Sequence, residues 1–114
     1  RTRHFASSKE GTRHGEAGCE ELTFDTLTRI ARVAGELCIS MATLALAWLL
    51  AQPGVSAVIV GGRRPGQLQR NLEAANLKLT SDVLEALDTA TEPLKRHLGP
   101  NADLWLSAAD SRIR

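Results

Sequence analysis

A single run of β-branched and apolar residues, at positions 55–60 of this 114-residue chain, most constrains the fold. Gly61 and Gly62 follow it directly, and then come two arginines and Pro65. Continuous apolar runs of this length are typical of strands that are buried on both faces of a parallel sheet. Because proline suits the first turn of a helix, the segment predicts a buried strand that leads through a glycine turn into a helix.

Helical spacing is found on both sides of this predicted strand. From Leu22 onward, apolar residues recur every three or four positions, which indicates a first helix. Ser40 is a suitable N-cap for a second helix over 41–51, which is apolar around almost its whole circumference. Thr80 or Ser81 caps a fourth helix, with Pro93 beyond its end.

The third helix, opened by Pro65, is expected to bury a stripe formed by Leu68, Leu72 and Ala75. The predicted order is helix, helix, strand, helix, helix over residues 22–92, with a loop at 1–21 and a tail at 93–114. A lone parallel strand cannot pair its backbone groups. The fold class is therefore α/β, and we expect the chain to be a piece of a larger sheet.

Composition narrows the functional classes. A net charge of +1 is too small for a dedicated nucleic-acid-binding domain. Two cysteines are too few for a disulfide scaffold, and Cys38, in an apolar helical pattern, is expected to be a buried thiol. No signal peptide or membrane span is recognisable, so we expect a cytoplasmic protein without a membrane partner. The first residue is Arg1 rather than Met, which is typical of a processed or partial product.

The turn after the predicted strand is the strongest candidate site. Gly61 allows a ligand to approach the backbone, and Arg63 and Arg64 offer charge-assisted hydrogen bonds to an anion. Gln67 and Asn71 share one face of the following helix, whose N-terminus attracts negative charge. This chemistry suits a phosphate group. The alternative, an ordinary strand-to-helix turn built from Gly and Pro, stays open.

Other patterns are weaker. His4, His14 and Cys19 match no common zinc spacing, so we expect no metal site. Residues 34–40 superficially resemble a helix-turn-helix, but the helix that follows is apolar where a recognition helix presents polar side chains, so we expect no nucleic-acid partner. Basic residues cluster in the first 14 positions and indicate a solvated or cofactor-facing loop.

Several motifs carry a resemblance to one family. They are LALAW at 44–48, QPGV at 52–55, VIVG at 58–61, then Arg63, Gln67 and Asn71, and the tail motif LGPN with Asp103-Leu-Trp105. Together they resemble the C-terminal part of the aldo-keto reductases, NADP-dependent oxidoreductases with a (β/α)8 barrel. The resemblance spans nearly the whole chain. It implies that the chain is the C-terminal part of a TIM barrel, incomplete on its own.

The resemblance also implies roles for the candidate residues. In that family the segment after the eighth barrel strand holds the 2′-phosphate and adenine of NADP(H). Gly61 and Arg63 match the phosphate-side positions, and Gln67 and Asn71 match helix positions that contact the nucleotide. Arg64 is an adjacent phosphate partner. The family usually has Glu where this chain has Arg70, and Ala where it has Gly62.

The family's catalytic Asp, Tyr, Lys and His are carried by earlier strands, and this chain contains no Tyr. The expected function is therefore the NADP-binding C-terminal segment of an oxidoreductase that, when complete, reduces a small carbonyl substrate with NADPH. The alternative is a non-catalytic remnant that acts as a helical binding or interaction module. Because the helix at 41–51 and the run at 55–60 both need partners, we expect the isolated chain to self-associate or to be poorly stable.

Overall fold

The computed structural model describes residues 1–113, and all regular secondary structure in that range is helical. The four helices are α1 (Glu20–Glu36), α2 (Met41–Leu50), α3 (Pro65–Asn76) and α4 (Ser81–Leu98). Two compact units are present, one formed by residues 1–29 with 89–113 and the other by residues 30–88. No single helix among the described residues is long and apolar enough to cross a membrane, although α1 and α2 together, as a bent pair, meet the length and composition for one.

The predicted strand at 55–60 is not formed, so the expectation of an α/β fold with one clear strand is wrong for the described residues. The segment is irregular, and the Ile59 side chain is fully exposed. The physical reason is that a strand is stabilised by hydrogen bonds to a neighbouring strand, and residues 1–113 supply none. An apolar β-branched composition is therefore not sufficient to form a strand here.

Helix α2 begins where the sequence predicts. The Ser40 side-chain oxygen accepts a hydrogen bond from the Thr43 backbone N–H at 3.0 Å, and Ser40 itself has an extended backbone, with ψ of 149°. This N-cap satisfies one of the unpaired donors of the first turn. The C-cap is Ala51, so the helix ends just before Gln52-Pro53.

The core of the unit formed by residues 30–88 is small. Leu44 of α2 is fully buried and contacts Val33 and Ala34 of α1 and Leu87 of α4. Partly buried apolar side chains surround this cluster, namely Ile30, Ile39, Met41, Trp48, Leu79 and Val83. The cluster gives the unit a single aliphatic centre that joins three helices.

Helix α3 packs against α2, but not through the predicted stripe. Ala74 is its buried residue, whereas Leu68 and Leu72 are 55% and 61% exposed, and Ala75 is exposed as well. The prediction that α3 buries a stripe of Leu68, Leu72 and Ala75 is therefore wrong for the described residues. Only a small side chain on the neighbouring face approaches α2 closely.

The turn between α1 and α2 also differs from expectation. Cys38 is exposed rather than buried, and its backbone has a φ of 54°. Its N–H donates to the Gly35 carbonyl at 3.0 Å, and the next N–H, of Ile39, donates to the Ala34 carbonyl at 3.0 Å. Left-handed residues commonly end helices in this way. The apolar spacing continues past the helix end, which explains why Cys38 was predicted to be buried.

The other unit is centred on Arg3, which is only 6% exposed. Its Nε lies 2.7 and 2.8 Å from the two carboxylate oxygens of Glu16. Its two terminal nitrogens donate to the carbonyls of Leu98 and Asn101 at 2.7 and 3.1 Å. One guanidinium thus ties the N-terminal loop to the chain that follows α4, with all three nitrogens partnered.

Helix α4 continues through Pro93 to Leu98, so the expectation that Pro93 lies beyond its end is wrong. The actual stop is Gly99, which has a φ of 68° and donates its N–H to the Lys95 carbonyl at 3.0 Å. Glycine takes this left-handed conformation without steric cost, and Pro100 follows it. The Gly-Pro pair, rather than the proline inside the helix, ends the element.

Candidate functional site

The predicted phosphate-binding residues lie on the turn before α3 and on its first two turns. Pro65 occupies the first position of the helix, where its missing N–H costs nothing. The side-chain oxygen of Gln67 accepts hydrogen bonds from the backbone N–H groups of Arg63 at 2.9 Å and Arg64 at 3.2 Å. Gln67 therefore folds the turn back onto the helix start, half of the capping-box arrangement.

Asn71 lies one turn further along and is half-buried. Its side-chain nitrogen is 3.4 Å from the Gly61 carbonyl, a long and weak hydrogen bond. A β-carbon at Gly61 would meet nothing within 4 Å, and neither Gly61 nor Gly62 has a positive φ. The turn itself does not require glycine here, but the space in front of Gly61 is open to a ligand.

The guanidiniums of the two arginines differ from the side chains of Gln67 and Asn71, because they make no hydrogen bond within residues 1–113. Arg63 and Arg64 are exposed, and neither guanidinium forms an ion pair within residues 1–113. Both precede a helix N-terminus, where unpaired N–H groups and the helix dipole favour an anion. The structure thus brings the five predicted residues onto one short segment, and it leaves the two cationic side chains available to a ligand.

A second polar cluster was missed by the sequence reasoning. Asp103 has no exposed surface, and it accepts hydrogen bonds from the backbone N–H groups of Trp105 at 2.9 Å and Leu106 at 3.2 Å. The Nε of Arg112 donates to the same carboxylate at 3.0 Å. Hydrogen bonds from Arg112 and the backbone hold the pKa of Asp103 well below its usual range. An Asp bonded to N–H groups two and three residues ahead is a recognisable local signal.

Arg112 also lines a cavity of about 430 Å³, together with Arg1, Gly11, Arg13 and Trp105. The basic character of the N-terminal loop is visible in the sequence. The proximity of this loop to Trp105 and Arg112 is not visible in the sequence, because those residues lie between 92 and 111 positions further along the chain than Arg1 and Arg13.

The histidines and cysteines of the chain form no metal site among the described residues. Burial lowers the pKa of His4 from its ordinary 6.5, and the neighbouring charge of Arg3 lowers it further. Its Nδ1 lies 3.0 Å from the Thr2 hydroxyl. The lowered pKa favours the neutral form of the imidazole.

Comparison with known proteins places the chain in a family. The profile described as "Aldo/keto reductase family" matches residues 2–92. The uncharacterized oxidoreductase YqkF of Bacillus subtilis is 37% identical over 73 residues, which cover 61% of this chain and 24% of that protein. L-glyceraldehyde 3-phosphate reductase of Escherichia coli O157:H7 is 30% identical over 92 residues, or 79% of this chain and 25% of that protein.

A probable voltage-gated potassium channel subunit beta of Arabidopsis thaliana is 40% identical over 58 residues, which cover 49% of this chain and 18% of that protein. The chain thus spans about a quarter or less of the length of these relatives. The family match includes α1, α2, α3 and most of α4, together with the turn that carries the two exposed arginines. The chain belongs to the aldo/keto reductase family.

Proposed function

We propose that this chain is the part of an aldo/keto reductase that holds the 2′-phosphate end of NADP(H). The observation that carries the proposal is the pair of exposed guanidiniums of Arg63 and Arg64 at the start of α3, which form no ion pair with the described residues. A guanidinium presents a planar fork of donors that matches a phosphate. NADH has no 2′-phosphate, so the arrangement favours NADP(H).

The remaining residues of the segment fit the same ligand. Open space at Gly61 leaves room for the ribose phosphate beside the backbone. Gln67 keeps the turn closed through its side-chain oxygen, which leaves its amide nitrogen to donate to the nucleotide. Asn71 stands on the same side of the segment, since its amide reaches the Gly61 carbonyl. These two amides would orient the adenine.

When bound, NADPH supplies a hydride to a carbonyl carbon. This chain holds no Tyr, so the proton donor and the other catalytic groups of the family belong to residues outside it. What this chain contributes is binding and orientation of the cofactor. Relatives named as an oxidoreductase and as L-glyceraldehyde 3-phosphate reductase support carbonyl reduction by the complete protein.

The proposal is tested with two small nucleotides that differ only by the phosphate in question. In a full-length protein that carries this chain, 2′,5′-ADP should bind more tightly than 5′-ADP, by about tenfold or more. Calorimetric titration measures both dissociation constants. Equal affinities for the two nucleotides would show that the segment does not bind the 2′-phosphate.

A second candidate is a non-catalytic interaction module. The absence of Tyr supports it, as does the likeness to proteins named as potassium channel β subunits. The two candidates separate in one assay, because a reductase consumes NADPH in the presence of an aldehyde and an interaction module does not. The loss of NADPH absorbance at about 340 nm, measured in the steady state, follows this reaction in the full-length protein.

A further inference from the structure

We propose that the cavity lined by Arg1, Arg13, Trp105 and Arg112 binds a small aromatic anion, either a carboxylate or a phosphate ester. It lies within the unit formed by residues 1–29 and 89–113, and its volume is about 430 Å³. Sites for small ligands are commonly in the range of about 300–1,000 Å³. We refer to this cavity as the arginine cavity.

The charged side chains that are described in the lining of the arginine cavity are all positive. Three guanidiniums line it, and no carboxylate of residues 1–113 does. Arg1 and Arg13 form no ion pair within residues 1–113, so only Arg112 is balanced, by Asp103. A concave surface lined by one sign of charge concentrates oppositely charged ligands, and guanidinium forks bind carboxylate and phosphate through paired hydrogen bonds.

One buried carboxylate organises two of the lining residues. Asp103 accepts the backbone N–H of Trp105 at 2.9 Å and the Nε of Arg112 at 3.0 Å. The side chain of Arg112 is nevertheless 62% exposed, so its remaining edge faces solvent rather than protein. Groups that are fixed before a ligand arrives lose little freedom on binding. The Trp105 backbone and the Arg112 guanidinium are therefore held by the same carboxylate before a ligand arrives.

Arg1 is held on its own loop. Its Nε donates to the Glu10 carbonyl at 3.3 Å, and its guanidinium lies 5.2 Å from the centre of the Phe5 ring. Arg13 differs from the other two in having no hydrogen bond from its side chain within the described residues. Arg13 is therefore the guanidinium that can turn toward a ligand without breaking an internal contact.

Trp105 indicates that the ligand carries an aromatic ring as well as an anionic group. Its side chain is 49% exposed, an unusual position for the largest aromatic residue, and it lines the arginine cavity. Indole faces stack on flat aromatic groups. An anion that also carries an aromatic ring would use both kinds of contact. The arginine cavity shares no residue with the cofactor segment at 61–71, so this inference does not depend on the proposed function.

The test titrates the full 114-residue chain with three probes of the same shape. Benzoate and phenyl phosphate carry the anion, and benzamide is the neutral counterpart. We expect both anions to bind and benzamide to bind at least tenfold more weakly, measured by calorimetry. Whichever anion binds more tightly identifies the head group as carboxylate or phosphate. Binding of benzamide as tightly as benzoate, or no binding of either anion to the folded chain, would overturn the proposal.

Matched variants locate the site. Arg13→Gln should lower the affinity for the bound anion by about tenfold, because it removes one charge-assisted contact. Arg32→Gln removes an exposed arginine that lies outside both the arginine cavity and the cofactor segment, and it should leave the affinity unchanged. Circular dichroism establishes that both variants keep the helix content of the parent chain. Equal losses in Arg13→Gln and Arg32→Gln would show general charge attraction and contradict a built site.

The aromatic half of the proposal has its own readout. Trp105→Leu should weaken phenyl phosphate but leave inorganic phosphate unchanged, since only the former has a ring to stack. A parallel loss for both ligands would show that Trp105 supports the fold of the tail rather than contacts the ligand.

Discussion

The side-chain oxygen of Gln67 accepts the backbone N–H of Arg63 at 2.9 Å. This bond positions the backbone from which the exposed Arg63 side chain extends, because it closes the turn that carries Arg63 against the first turn of α3. The same oxygen also accepts the N–H of Arg64, so one side chain satisfies two backbone donors. Gln67 is thus a positioning residue for the turn as well as a candidate contact to the nucleotide.

Replacing Gln67 should loosen the start of α3. Gln67→Ala leaves both N–H groups without their acceptor, and we expect a cost of about 0.5–1 kcal/mol, typical of a lost helix cap. Gln67→Glu retains an acceptor oxygen at the same distance along the side chain and should keep the helix start intact. Amide hydrogen exchange across α3 measures the effect. Similar protection in the alanine variant and the parent chain would show that the bond contributes nothing.

The isolated chain should self-associate. Ile59, Leu68 and Leu72 are exposed apolar residues close together in sequence, and apolar surface of this kind drives association. Leu72→Lys places a charge on that surface and should shift the population toward monomer. Ser56→Lys adds the same charge at an exposed polar position and serves as the control. Sedimentation velocity separates the species, and a monodisperse parent monomer with a sharp melt would contradict the expectation.

The tail should be destabilised by acid through Asp103. Its folded pKa is lowered below the ordinary 3.8, so the carboxylate stabilises the folded tail at pH values above about 4. This contribution is lost as the pH falls from about 4 toward the folded pKa, because the unfolded chain then takes up a proton that the folded chain does not. Trp105 donates its backbone N–H to Asp103 in a hydrogen bond, so its fluorescence reports the unfolding of the tail as the pH falls.

Asp103→Asn cannot ionise, so its tail should be less stable at neutral pH and show little further change between pH 5 and about 2. Asp110→Asn alters an exposed carboxylate in the same tail and should keep the acid transition of the parent chain. An unchanged acid transition in Asp103→Asn would assign the effect to another group.

The isolated chain should not reduce carbonyl compounds. No Tyr is present in the 114 residues to donate a proton to the developing alkoxide. NADPH consumption in the presence of an aldehyde, measured against material from an empty vector, checks this. Turnover that rises with the amount of purified chain would contradict it.

Local signals in the sequence were sufficient for three of the four helix starts. Ser40, Pro65 and Thr80 act within one helical turn, so α2, α3 and α4 begin where they indicate. The strand at 55–60 failed because pairing depends on a second strand, which local composition cannot supply. Pro93 failed as a stop signal because α4 continues through it and ends at Gly99 instead.

The candidate site shows the same division. The proximity of Arg63, Gln67 and Asn71 follows from helical spacing and could be predicted. The hydrogen bonds of Arg3 and the ion pair of Asp103 with Arg112 depend on how loops fold, and no periodic pattern in the sequence predicts them. Long-range contacts of this kind are where sequence reasoning without a structure stops.

Arg63 is proposed to bind the 2′-phosphate of NADP(H), and the most direct test measures the affinities of two cofactors for one variant. In a full-length protein that carries this chain, Arg63→Ala removes a guanidinium–phosphate contact of roughly 1.5–3 kcal/mol. The NADPH dissociation constant should therefore rise on the order of tenfold to a hundredfold. The NADH dissociation constant should change little, and Arg64→Ala provides the comparison with a neighbouring exposed charge. Equal losses of NADPH and NADH affinity in Arg63→Ala would show that the residue supports the fold and would contradict the assignment.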